Sequence, residues 1–411
     1  MTLLRERSFR NFWLATSVSL LGDQIALLAL PLVAVLVLDA GAGQMGLLTA
    51  AALLPHLLFS LPAGVWLDRV ASRRRVMIAS DLARAALVGT IPLAYALDVL
   101  TLVQLYAVAF LAGSLAVLFD LSYPTLFVSL ATRDRYIEGN SLVHGSRSFS
   151  FVAGPSLSGL LVAAFSAPFA LLGDAVSFLV SALFLGRVRA EEPPIEHEDE
   201  RGLRARVSTG LRFIGGNAIF RPTLIAVATL NFFNYAFQAL FVLYATRTLG
   251  VEPGTLGLVL GVGAVGGLLG AVTAGRIGRA LGVGRAFLLG CVLFPLPLVL
   301  VPLAQGPEWL VIVMLFLAEF GSGFGVMILD INAGSMMFAL TPDRLRSRAT
   351  GAFNFVNWGI RPLGALAGGA LGAWLGVRPT LWVATLGALI GALLLLPTPV
   401  PGLRELPEEA V

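Results

Sequence analysis

Lysine is absent from this chain of 411 residues: all 28 of its basic residues are arginine. Histidine occurs three times and cysteine once. Charged residues make up 13% of the chain, against about 25% in soluble domains. Each scarcity removes a class of function. Cys291 lies alone in an apolar run, so it makes no intrachain disulfide and no cysteine-rich metal site. The arginine-only usage is read as a bias of coding composition. No P-loop spacing is present, which excludes ATP hydrolysis within this chain. No His-x-x-x-His pair and no nucleophile elbow occurs, so the chain reads as no enzyme, with no cofactor and no metal.

What is abundant points one way. Hydrophobic residues make up 57% of the chain and mean hydropathy is +0.87. A soluble fold would leave more apolar surface than so few polar residues can cover, so the chain reads as an integral membrane protein. The net charge of +4 would suggest a nucleic-acid partner in a soluble protein. Here it reflects which loops sit on which side of a membrane, and no nucleic acid is expected.

A spanning helix needs roughly 20 apolar residues at ~1.5 Å each. Twelve such runs occur, over about 11–38, 44–67, 76–97, 101–127, 139–165, 167–188, 218–247, 254–279, 285–304, 308–338, 347–376 and 378–397. The first is too long for a signal peptide and reads as a retained span. Ten-residue alternating segments, the mark of a membrane β-barrel, are missing. The N-terminus and the even-numbered connections carry clustered arginines, while the opposite loops carry only Arg247 and Arg378. The positive-inside rule therefore places both termini in the cytoplasm, in a multi-pass plasma (inner) membrane protein. RVRAEEPPIEHEDERGLRARVSTG, residues 187–210, is the only long polar stretch. It divides the chain into a six-helix bundle over 1–189, a cytoplasmic linker over 190–212, a second six-helix bundle over 213–399 and a tail over 400–411.

The two halves resemble each other. At an offset of 211 residues, Phe9-Arg10 meets Phe220-Arg221, Gly46-Leu47 meets Gly257-Leu258, and Ala63-Gly64 meets Ala274-Gly275. At 210, Asp120 in VLFDLS meets Asp330 in MILDIN. The offset joins span 1 to span 7 and span 4 to span 10, so the halves share one topology: a parallel repeat, related by an axis along the membrane normal. Two such bundles suit alternating access with the cargo between them. The expected fold is all-α, with twelve transmembrane helices in two pseudo-symmetric six-helix bundles.

This pattern resembles the major facilitator superfamily over the whole chain. GVWLDRVASRRR, with Gly64, Asp68, Arg69, Arg73 and Arg74, is similar to that superfamily's signature loop between spans 2 and 3. No glycine follows Asp68, and the basic run starts five residues after it. Gly154-Pro155…Gly159 in span 5 is similar to the antiporter motif, with serines at 150 and 158 in place of glycines. LFDLSYPTLFVSL, GNSLVHGSRSFSFVAGP and LLGDAVSFLVSALFL resemble the branch that includes macrolide-efflux pumps and the enterobactin exporter. The resemblance implies a secondary transporter of the drug:proton antiporter kind. It also implies that an acidic residue in span 1 binds protons or cationic cargo.

Ionisable groups at membrane depth cost about 2.5–3.5 kcal/mol each on insertion scales, so each is a functional candidate. Asp23 lies about 12 residues into the first span, ~18 Å deep, and Gln24 follows it. Glu319 in LAEFGSGFG is similarly deep in span 10. Asp120 and Arg147 each lie ~15 Å from the cytoplasmic end of their spans and could pair; Asp330 and Arg361 hold comparable places in the second half. The resemblance implies another partner for Asp120, the basic residues of the loop between spans 2 and 3, Arg69 or Arg73. Asp81 and Arg84, three apart on one helix, neutralise each other, and Asp174 reads as structural.

Polar residues also form stripes. Asn231, Asn234 and Gln238 recur on span 7 beside Tyr235; Asn354, Asn357 and Arg361 repeat the spacing on span 11 beside Trp358. Such a face turns away from lipid, toward protein or a cavity. Phe232, Phe233, Phe237 and Phe241 interleave with the first stripe. Gly261 to Gly275 is a glycine run inside an apolar helix, read as close helix packing and not as a dinucleotide site.

The expected activity is export of a small amphipathic molecule by alternating access with proton antiport, by a monomer. A siderophore or metabolite exporter, its anionic cargo engaging Arg361 and Arg147, is the alternative. A non-transporting receptor or scaffold is a remote third. Asp68 with its arginines is expected to act as a cytoplasmic latch.

Overall fold

The computed structural model describes residues 3–190 and 203–404. Among these residues there is no strand. The helices are α1 (Arg7–Leu36), α2 (Ala42–Leu67), α3 (Arg73–Ala96), α4 (Leu102–Leu130), α5 (Tyr136–Phe165), α6 (Ala167–Gly186), α7 (Leu203–Gly216), α8 (Phe220–Leu243), α9 (Pro253–Leu281), α10 (Val283–Leu293), α11 (Leu300–Leu303), α12 (Glu308–Leu340), α13 (Asp343–Leu375) and α14 (Val377–Leu395). Among the described residues, eleven candidate spans are long and apolar enough to cross a membrane, α10 and α11 counting as one. The helix α13 is as long as any, and it carries Asn354, Asn357 and Arg361. With α7 set aside, twelve spans remain, as the hydropathy runs predict.

Local sequence explains the ends. Ser72 and Thr101 are N-caps whose side chains accept from the amides of Arg75 and Gln104. The ninth span differs from expectation: it is broken, not continuous. Pro295 and Pro297 remove amide donors where the helix would need them, and the chain passes through a 3-10 turn before α11. The linker predicted over 190–212 lies largely outside the described residues. Its C-terminal part belongs to α7, where Gly210 lies against the Arg348 carbonyl of α13.

The chain divides into two compact units. One comprises 1–40, 51–199 and 252–261; the other comprises 41–50, 200–251 and 262–411. In the first, α1 packs on α5 and α6, and α3 packs on α4 and α6. In the second, α8 packs on α13 and α14, and α10 packs on α12 and α14. The scheme is the same with α1, α3, α4, α5 and α6 replaced by α8, α10, α12, α13 and α14. The sequence repeat is thus also a repeat of packing.

The glycine run of α9 sits at helix crossings. A Cβ on Gly266 would lie 2.1 Å from the Phe320 carbonyl of α12. Close backbone approach is how membrane helices gain van der Waals contact without a hydrophobic driving force between them.

The repeat extends to a turn. Ser166 joins α5 to α6 with φ 88°, and Gly376 joins α13 to α14 with φ 92°. Their ψ values, 159° and 158°, place both in a region essentially reserved for glycine. Ser166 therefore carries strain that Gly376 does not. Ser166→Gly should stabilise the protein by about 1 kcal/mol, read as an upward shift in thermal unfolding in detergent. An unchanged or lower midpoint would contradict this.

Candidate functional site

The densest charge in the first unit lies where α1, α3 and α6 meet. A Cβ on Gly22 would fall 2.6 Å from Asp174 Oδ1 and 1.9 Å from Ser177 Oγ, so only glycine lets α1 lie this close to α6. The next residue, Asp23, is thereby presented to Arg84 of α3, and the two form an ion pair. Arg84 Nη1 also lies 3.9 Å from Asp81 Oδ1, one helical turn away. The guanidinium carbon sits 3.9 Å from the centroid of the buried Phe178 ring of α6, a cation–π contact. Asp174 lies beyond ion-pair distance but within electrostatic reach of Arg84, as does Asp120 of α4.

Accessibility grades the cluster. The Asp23 side chain is 37% exposed and that of Arg84 7%. Asp81 and Asp174 are buried, at 0% and 1%. Asp81 has the Ser181 hydroxyl beside it and Asp174 has Ser177, so each buried carboxyl has a polar neighbour besides the guanidinium. Three carboxyls and one guanidinium are neutral only when two of the carboxyls carry protons. Asp174 feels both Asp23 and Asp81 electrostatically, so charge in this cluster cannot change at one residue without the others responding.

The structure brings other expected partners less close. Asp120 makes no ion pair within 4 Å with Arg147, Arg69 or Arg73, although it is accessible and feels Asp23, Arg84 and Arg147 electrostatically. Asp330 and Arg361 likewise interact only at longer range. Gln24 packs its Cβ against Gly154 at the crossing of α1 and α5, and the Ser158 hydroxyl donates to the Ile25 carbonyl at 2.8 Å. Gly159 faces Gly257 and the Pro253 carbonyl. The Gly154-Pro155…Gly159 motif therefore lies at two helix crossings. In the loop after α2, Arg73 pairs with Asp68 at 3.2 Å. Arg74 donates to the carbonyls of Gly186 and Val188, at 3.2 and 2.7 Å, and so caps the C-terminal end of α6. Gly64 has open space around it, and Arg69 is exposed.

In the second unit Glu319 is 8% exposed, and its Oε1 has no partner among the described residues. It lies against Gly263 of α9, whose added Cβ would stand 3.3 Å from Glu319 Oε2. On α8, Asn231 donates back to the Val227 carbonyl, Gln238 is exposed, and the buried Oδ1 of Asn234 is unpaired. On α13, Asn354 is exposed and the Oδ1 of Asn357 is unpaired. Arg361 Nη1 donates to the Tyr235 hydroxyl at 3.2 Å and stacks over Trp358. Phe237 and Phe241 are core residues, stacked on each other with centroids 5.5 Å apart. Among the described residues no group of His, Cys, Asp and Glu is placed to hold a metal ion.

The family model described as the Major Facilitator Superfamily matches residues 12–365 and 224–410. The chain belongs to that superfamily. It is 27% identical over 403 residues to the multidrug efflux pump Tap of Mycobacterium tuberculosis, spanning 95% of this chain and 93% of the relative. Its fold matches the nucleoside transporter NupG with a TM-score of 0.74 at 13% identity, over 96% and 98% of the two chains. It also matches a bacterial homologue of the iron transporter ferroportin in its inward-facing state, at 0.75 and 18% identity, over 95% and 98%. The protein is a multi-pass membrane transporter and not an enzyme.

Within this superfamily member, the residues that sequence reasoning set aside are the ones gathered around Asp23. Arg84 points across to α1 more closely than along its own helix to Asp81. A signal for this existed. The tetrapeptide LLGD occurs twice, at 20–23 and 171–174, on the two helices that cross at Gly22.

Proposed function

We propose that this transporter exports an amphipathic small molecule by proton antiport, with Asp23 as the group for which proton and cationic cargo compete. One observation carries the reading: Asp23 is accessible, and its counter-ion Arg84 has further carboxyls, Asp81 and Asp174, close behind it. When a proton or a cation takes Asp23, Arg84 has somewhere to turn. Its charge stays compensated within the cluster, which spares the cost of an unpaired buried cation. Glu319, buried in the second unit, is a further proton site on this reading; Asp120 and Asp330 are accessible carboxyls that shape the local field. The multidrug efflux activity named for Tap agrees with an amphipathic cargo. The protein works as a monomer in the plasma membrane, both termini cytoplasmic, and the Asp68–Arg73 pair is part of its cytoplasmic latch.

The test is uptake into everted membrane vesicles carrying an acid-inside gradient. Ethidium should accumulate only with the gradient and should leave when an uncoupler is added. No gradient-dependent accumulation of ethidium, rhodamines or macrolides would sink the proposal. The second reading, export of an anionic metabolite or siderophore engaging Arg361 and Arg147, is favoured by one observation: no carboxylate lies within 4 Å of Arg361 among the described residues.

A further inference from the structure

Arg361 is placed unlike Arg84. It lies 18 residues into the 33-residue α13, ~27 Å along the helix axis, far from either end. Two aromatic faces hold it: its guanidinium carbon is 4.0 Å from the Trp358 ring centroid and 5.2 Å from that of Tyr235. The Tyr235 hydroxyl accepts from Nη1, while Nε has no partner among the described residues. The charge is therefore fixed in direction but not neutralised at close range. Asp330, the carboxylate that interacts with it electrostatically, stays beyond 4 Å.

Cation–π contacts hold an arginine at about 0.5–2 kcal/mol each. They satisfy the faces of the guanidinium and leave its edge, where the N–H bonds point, for an acceptor. Nε is buried without a partner among the described residues, so a carboxylate meets the guanidinium at its outer Nη atoms, where a planar guanidinium offers two parallel N–H···O bonds. At this depth the anion is not a lipid headgroup, which stays at the interface.

We propose that Arg361, clamped by Trp358 and Tyr235, is a binding site for the carboxylate of an amphipathic aromatic cargo. The site rests on the export reading and adds that the preferred cargo carries, besides the cationic group that Asp23 takes, an acidic group on the same apolar body. Tyr235 acts as a positioning residue, holding the guanidinium edge open.

The test uses a matched pair of probes, a rhodamine with a free carboxylate and its ethyl ester, and full-length protein in detergent. Binding is read by fluorescence anisotropy. Wild type should bind the acid about tenfold more tightly than the ester, as one charge-assisted interaction allows. Arg361→Gln should bring the ratio to about one by weakening the acid alone, and Arg361→Lys should keep part of it. Equal wild-type affinities would overturn the carboxylate site while leaving the export reading to the vesicle assay. Loss of acid and ester binding in equal measure in Arg361→Gln would also overturn it, as would failure of either probe to bind. If Arg361→Gln does not fold, Tyr235→Phe decides. It removes one hydroxyl and should reduce the ratio at least twofold; an unchanged ratio overturns the proposal.

Discussion

Asp23→Asn should lower gradient-driven export of ethidium by about a hundredfold, with yield and detergent behaviour close to wild type. The size follows from losing a charge-assisted interaction of 1.5–3 kcal/mol at the group where cargo and proton compete. The normal yield follows from the surroundings. With Asp23 neutralised, Arg84 still has Asp81 at 3.9 Å and the Phe178 face beneath it, so no buried charge is orphaned. Asparagine also keeps the size of the side chain beside Gly22, where α1 and α6 have no room to spare. Initial rates of uptake in everted vesicles, normalised to protein, give the comparison. Full coupled export by Asp23→Asn would place the coupling carboxyl elsewhere, with Glu319 the next to examine.

Arg84→Leu should behave differently, because it removes the single cation from a cluster of three carboxyls. Breaking a buried pair by deleting one partner costs about 3–5 kcal/mol. Asp81 and Asp174, both buried, would then face each other and Asp23 with no positive charge between them. The expected result is a large loss of monodisperse protein on size-exclusion chromatography. Adding Asp23→Asn to Arg84→Leu should recover part of the yield, since one negative charge is removed, and none of the transport. Two sites in one charge network do not add independently, so this partial rescue is the signature of the cluster. Wild-type yield from Arg84→Leu alone would mean that the cluster does not hold α1, α3 and α6 together.

The spans, the parallel repeat and the superfamily were legible in the sequence, because each is written in features of a single dimension: length of apolar run, offset and motif spacing. Position along each helix was legible too, since residues counted along a helix convert to ångströms. What it leaves open is the direction in which a side chain points. Asp120 and Arg147 share a depth but are not brought within ion-pair distance. Asp81 and Arg84 are three apart, and that spacing predicts the contact found at 3.9 Å. It cannot say that α1 supplies Arg84 with a closer partner. Phe237 and Phe241 alternate with polar residues in the sequence, yet they fall on the core side of α8. The broken ninth span was written in Pro295 and Pro297, but a hydropathy run does not register a missing amide donor.

Competition of proton and cation for Asp23 is the central claim, and it has a direct measurement. Purified protein in weakly buffered detergent, taken to an acid pH at which Asp23 carries a proton and followed with a pH-sensitive dye, should release protons when a lipophilic cation such as ethidium is added. The release should saturate with binding and be absent in Asp23→Asn. Cation binding without proton release, or release that persists undiminished in Asp23→Asn, would contradict the account.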